Sequence, residues 1–126
     1  MATYRGMFYG YREWRKVGGR IQLGIWELDG KLPTRNTTYD GNAADAYPAM
    51  TVFPNSEQAL AIWVQTWNNS LFFKLSNDAV SYQDEVEVDP DKNLGSWFHR
   101  SAARGICLKN QTPGAAARYQ VVVFFA

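Results

Sequence analysis

The stretch from Leu60 to Leu75 carries the pattern that most narrows the fold. Leu60, Ile62 and Val64, and then Leu71, Phe73 and Leu75, recur at every second position on either side of Asn68-Asn69, and Ile62, Val64 and Thr66 are β-branched. Side chains of that kind are stiff at χ1 and suit a pleated surface better than a helix, so two strands are expected. A two-residue Asn-Asn turn would pair them as a hairpin, with Thr66 opposite Leu71, Val64 opposite Phe73, Trp63 opposite Lys74 and Ile62 opposite Leu75. Leu60, Ile62, Val64, Leu71, Phe73 and Leu75 would then face a core. Trp63, Gln65, Trp67, Phe72 and Lys74 would share the other face. A helix is the competing reading, because Ser56 can cap it and Leu60, Trp63, Val64 and Trp67 fall at helical spacing.

The same period recurs elsewhere. Thr3 to Tyr11 alternates, and so does Arg20 to Leu28 after a Gly18-Gly19 turn, with Asp29-Gly30 signalling a further turn. Pro33 to Pro54 holds turn formers and little periodicity, which predicts a long loop ending in a short strand near Thr51 to Phe53. Ala79 to Val88 alternates again, and Ser96 to Arg104 has the cap and the terminal glycine of one short helix. Ile106 to Lys109 and Tyr119 to Phe125 read as strands, the second almost wholly apolar and so central. With 126 residues, one domain spanning 1–126 is expected. It should be all-β, an antiparallel β-sandwich or small barrel with at most one short helix.

Charge excludes some partners. The net charge is +1, so no global field marks the chain for nucleic acid, although residues 1–20 sum to +4, residues 21–91 to −8 and residues 92–126 to +5. Pairing of the terminal segments would gather the two basic ends on one face. No apolar run approaches the roughly 18 residues of a membrane span, and the N-terminus lacks a signal-peptide pattern, so a cytoplasmic location is expected. Cys107 stands alone, which excludes an internal disulfide, and with the single His99 it leaves too few ligands for structural zinc. Asp89, Asp91 and Asn93 begin a calcium-loop spacing that breaks at Gly95 and Arg100. A looser site with Asp84 is the alternative to a polar turn. No metal or cofactor is expected.

Aromatic residues make up 15% of the chain, a load usually divided between a core and a binding surface. Sugars present apolar C–H faces rimmed by hydroxyls, so a site for them needs indole or phenol platforms beside amides and carboxylates. Trp63, Gln65, Trp67, Phe72 and Lys74 supply both. The competing reading buries Trp63 and Trp67 beneath a second sheet. Tyr39, Asp40, Asn42, Asp45 and Tyr47 offer a second mixed group, on the long loop. Tyr9, Tyr11, Arg12, Trp14, Arg15 and Lys16 interleave bases with aromatics, as single-stranded nucleic acid or a lipid headgroup layer would require; a solvated turn is preferred. For catalysis, His99 has no motif around it, Cys107 lies in an apolar strand, and Glu85 with Glu87 is a common surface pairing.

In general character the chain is similar to small cytoplasmic lectins and to small pore-forming or membrane-binding toxins. The expectation is a non-enzymatic, lectin-like carbohydrate-binding protein with a glycan ligand, assembling as a homo-oligomer. The alternatives are a viral or phage assembly protein with aromatic subunit interfaces, and a membrane-binding toxin.

Overall fold

The computed structural model describes residues 33–126, together with the backbone of two short strands, β1 (Trp14–Val17) and β2 (Arg20–Leu23), that pair antiparallel with Val17 opposite Arg20. The expected strand at Thr3 to Tyr11, the Gly18-Gly19 and Asp29-Gly30 turns, and the continuation of β2 to Leu28 lie outside the described residues.

Eight further strands follow: β3 (Arg35–Asn42), β4 (Thr51–Val52), β5 (Ala61–Thr66), β6 (Leu71–Ser76), β7 (Val86–Val88), β8 (Ser96–Arg100), β9 (Gly105–Asn110) and β10 (Arg118–Phe125). They form two four-stranded antiparallel sheets, ordered β3-β10-β5-β8 and β4-β9-β6-β7. The fold is an all-β sandwich. Because the chain changes sheet at almost every connection, the strand order is that of a jelly roll.

β10 shows why. Val121 to Phe125 is an unbroken apolar run, and a strand buried on both faces must read that way. It lies between β3 and β5, and alternate residues serve two clusters. Val121, Val123 and Phe125 enter the core between the sheets, with Phe53, Ile62, Val64, Leu71, Phe73, Leu75, Val88, Ile106 and Leu108. Val122 and Phe124 point outward, into a second buried cluster with Ala61 and Trp63, against which Leu60 and Phe98 pack. Each fully buried Leu, Ile, Val or Phe contributes about 1.5–3 kcal/mol. Ring contacts order the core, with Phe73 edge-on to Trp97 at 4.8 Å and Phe53 between Tyr39 at 6.3 Å and Phe125 at 6.2 Å.

Four expectations are corrected. β5 and β6 are strands with the expected inward faces, except that Leu60 packs against the outer Trp63 cluster, and they do not pair: β5 lies between β10 and β8, and β6 between β9 and β7. Residues 67–70 are a crossover between sheets, so Trp63 and Lys74 stand on opposite sides of the sandwich. The expected loop at Pro33 to Pro54 contains β3, an eight-residue strand that among the described residues pairs with β10 alone. Its inward positions include Thr37, Tyr39 and Gly41 rather than aliphatic residues, which hid the alternation. Ser96 to Arg100 is strand β8, not a helix; among the described residues the helical element is a 3-10 turn at Pro54–Ser56. The terminal basic face does not form through β10, whose two neighbours are β3 and β5.

Ala79 to Val88 shortens to β7. The Asp78 carboxylate takes the backbone N–H groups of Val80 and Ser81, both at 2.8 Å, and folds the preceding residues into a turn. Among the described residues no helix is long and apolar enough to cross a membrane.

Candidate functional site

The outer face of the β3-β10-β5-β8 sheet changes character along its strands. One half is the Trp63 cluster, with Trp63 only 5% exposed. Two residues along β10 and β5, toward the 67–70 crossover, the same face becomes polar. Gln120 stands opposite Asp40 on one side and Gln65 on the other, and Gln65 stands opposite Ser96. Strands about 4.8 Å apart make this a row roughly 14 Å long. At the next outward position Arg118 stands opposite Asn42, and its guanidinium lies over the Trp67 ring, 5.4 Å from the centroid. Trp67 is 49% exposed, and Asp40, Asn42 and Arg118 are also exposed. Among the described residues, none of Asp40, Asn42, Gln65, Ser96 or Gln120 makes a side-chain hydrogen bond. The row therefore presents open donors and acceptors beside an indole face.

Past Trp67 the face meets a polar cleft of about 200 Å³, lined by residues of three loops that include Asn69, Ser70, Asp91, Gln111 and Thr112. Its walls are braced by side chains. The Asn68 side-chain Oδ1 accepts from the backbone N–H groups of Asn69 (2.8 Å) and Arg118 (2.9 Å), while the side-chain amides of both Asn68 and Asn69 donate to the Ala116 backbone carbonyl. Gly95 holds a positive φ of 72°, and a Cβ there would sit 2.5 Å from the Thr66 carbonyl oxygen, so glycine is required where β8 begins beside β5. The Asp89 carboxylate accepts from the backbone N–H groups of Asp91 (2.7 Å) and Lys92 (3.1 Å), which lowers its pKa and closes the turn. Among the described residues no three His, Cys, Asp or Glu side chains gather as a metal ion would need.

The outer face of the other sheet is built differently. Phe72 stands opposite Glu87 and Lys109, and Lys74 opposite Cys107. Tyr47 lies over this face: its hydroxyl donates to Glu85 at 2.6 Å, and the ammonium groups of Lys74 and Lys109 each sit 5.0 Å from its ring centroid. Burial first, then the bond to Glu85, raises the Tyr47 hydroxyl pKa far above the usual range. Lys109 approaches Glu85 at 4.0 Å, Lys92 approaches Glu87 at 3.8 Å, and Gln111 donates to Glu87 at 3.2 Å. Here the polar groups satisfy one another.

The ten residues singled out from sequence thus divide. Gln65, Trp67, Asp40 and Asn42 come together on the first outer face, joined through β10. Phe72, Lys74 and Tyr47 meet on the second. Trp63 is in the buried cluster, and Tyr39 points inward against Phe53, where burial raises its pKa. Asp45 is a loop brace, accepting from Gly114 N–H at 2.8 Å and Asn110 at 2.9 Å, bonds that lower its pKa. Sequence reasoning missed Arg118, Gln120 and Ser96. Arg118 and Gln120 share parity with Val122 and Phe124, the one signal that could have placed them on this face.

Cys107 and His99, the two candidates for nucleophilic or acid–base chemistry read from the sequence, are occupied locally. Cys107 is buried and its thiol pKa raised by desolvation. The His99 ring stacks on Trp97, and its Nδ1 donates to the Arg100 carbonyl at 2.7 Å.

No family model matches the chain, and no curated protein does. Among solved structures, the crystal structure of CoII HppE in complex with Tris buffer is similar over 81% of this chain, with 12% identity and a TM-score of 0.43. The chain spans 61% of the length of that protein.

Proposed function

We propose that this protein is a non-enzymatic carbohydrate-binding module, and that it takes its glycan on the outer face formed by Asp40, Asn42, Gln65, Trp67, Arg118 and Gln120. The observation that carries the reading is the half-exposed Trp67 beside a row of amide and carboxylate side chains that, among the described residues, make no hydrogen bonds of their own. Saccharide binding needs both parts. An aromatic face takes the C–H surface of a pyranose, and neighbouring amides and carboxylates exchange hydrogen bonds with its hydroxyls in place of water. The sheet fixes the backbone spacing of these groups, so binding orders side chains and not the chain that carries them. The adjoining cleft, also polar, extends the surface beyond one sugar unit.

A glycan array probed with the full chain tests this, with Trp67→Ala as the paired control. Binding of a defined set of glycans that weakens at least about tenfold, or 1.4 kcal/mol, in the variant is the expected result. Binding that survives Trp67→Ala unchanged would move the site to another surface.

A further inference from the structure

We infer that the saccharide carries a carboxylate, and that Arg118 receives it; this rests on the carbohydrate reading of the same face. The guanidinium carbon lies 5.4 Å from the Trp67 ring centroid, a cation–π contact that engages the charge of the group and none of its N–H donors in a hydrogen bond. Those donors keep the planar fork that matches a carboxylate. No acid of the protein takes that position among the described residues: the ion pairs are Arg35 with Glu57, Lys92 with Glu87 and Lys109 with Glu85. The residue opposite Arg118 is Asn42, which is neutral, and the Asn68 oxygen nearby is already used by the Arg118 backbone N–H. Arg118 is thus an exposed cation, steadied by an aromatic ring and bordered by amides.

The rest of the row gives the ligand a direction. Gln120 and Gln65 are neutral, and Asp40 lies beyond Arg118 on the same face, opposite Gln120. An ionised aspartate accepts hydrogen bonds from hydroxyls and repels a second anion. A sugar acid with its carboxylate at Arg118 and its hydroxyls toward Gln120, Gln65 and Asp40 fits this polarity. A densely sulfated chain does not, because Asp40 and, at the cleft, Asp91 would oppose its further charges.

Calorimetric titration of the full chain tests the inference with matched pairs: an oligogalacturonate and its methyl ester, and sialyllactose and its methyl ester, with neutral lactose and a heparin fragment beside them. At least one acid should bind ten times or more tightly than its ester. Arg118→Gln should weaken acid binding at least ten times more than ester binding and so remove that preference, and Arg118→Lys should restore part of it. The backbone N–H that meets Asn68 is kept in both variants, and thermal melts will verify that they fold. Esters binding as well as acids would overturn the inference and leave the carbohydrate reading standing. An equal loss for acid and ester in Arg118→Gln would make Arg118 a prop for Trp67, and binding of heparin alone would also overturn the inference. If no saccharide binds at all, both readings fail.

Discussion

The two outer faces of the sandwich use nearly the same chemical vocabulary and arrange it in opposite ways. On the β4-β9-β6-β7 side, Tyr47 is held between Lys74, Lys109 and Glu85, and Gln111 and Lys92 are turned toward Glu87. On the β3-β10-β5-β8 side, Asp40, Gln120, Gln65 and Ser96 stand in register across four strands without bonding one another. Aromatic and polar residues together are therefore insufficient to mark a site. What distinguishes a binding face is polar capacity that the fold itself leaves unused, because only such groups can exchange water for a ligand at little cost.

The largest expected effect separates the two tryptophans of the first face. Trp63 is buried with Ala61, Val122 and Phe124, so Trp63→Ala should cost about 3–5 kcal/mol, a large part of what a domain this size has. Trp67→Ala should stay within about 1 kcal/mol of wild type, as exposed positions usually do. Denaturant melts of the two variants decide it, and a Trp67→Ala protein as damaged as Trp63→Ala would collapse the distinction between platform and core.

Next in size is Asn110→Ala, which probes the brace behind the cleft. Asn110 is buried, accepts from the Ala117 N–H at 2.9 Å and donates to Asp45 at 2.9 Å. Its loss strands two buried or loop-closing groups and should cost about 1–3 kcal/mol. A shift in urea midpoint with an unchanged slope is the expected signature.

Tyr47→Phe sharpens the contrast between the faces. It removes one bond to Glu85 and leaves the ring between the lysines, so a loss of about 0.5–1.5 kcal/mol is expected, with glycan affinity unaltered. Weakened glycan binding in this variant would mean that the second face, not the first, meets the ligand.

The smallest effect concerns acid. Ser81 and Val80 N–H groups, with the Ser81 hydroxyl, hold the Asp78 carboxyl below its ordinary value of 3.8. A depressed folded-state pKa supplies stability above the unfolded value that is lost as pH falls toward the folded one. Melting temperatures should therefore drop less between about pH 5 and pH 2.5 in Asp78→Asn than in wild type, and equal drops would count against the turn as an acid-sensitive element.

How much of this could be read in the chain depends on whether a residue's neighbours are local. β5, β6, β9 and β10 are legible because alternation and β-branching act within a few residues and give an inward face whatever the partner strand is. β3 escaped because an edge strand needs little aliphatic pattern, and Ser96 to Arg100 because a capping serine and a following glycine also fit a strand's ends. Partner choice is another matter. Asn68-Asn69 is compatible with a tight turn, yet the chain crosses between sheets there, since both asparagines find the Ala116 carbonyl 47 or 48 residues away.

By itself, then, the sequence determined the strand habit, the inward residues and the mixed aromatic and amide chemistry of the surface. Tertiary structure alone decided which of those surface residues meet. Inserting β10 between β3 and β5 brings Asp40 and Asn42 beside Gln65 and Trp67 and adds Arg118 and Gln120 between them. The same arrangement of sheets sends Phe72 and Lys74 to the far side. Alternation within a strand is a local steric property, whereas strand order follows from burying both faces of the apolar run from Val121 to Phe125, a demand met only by the whole chain.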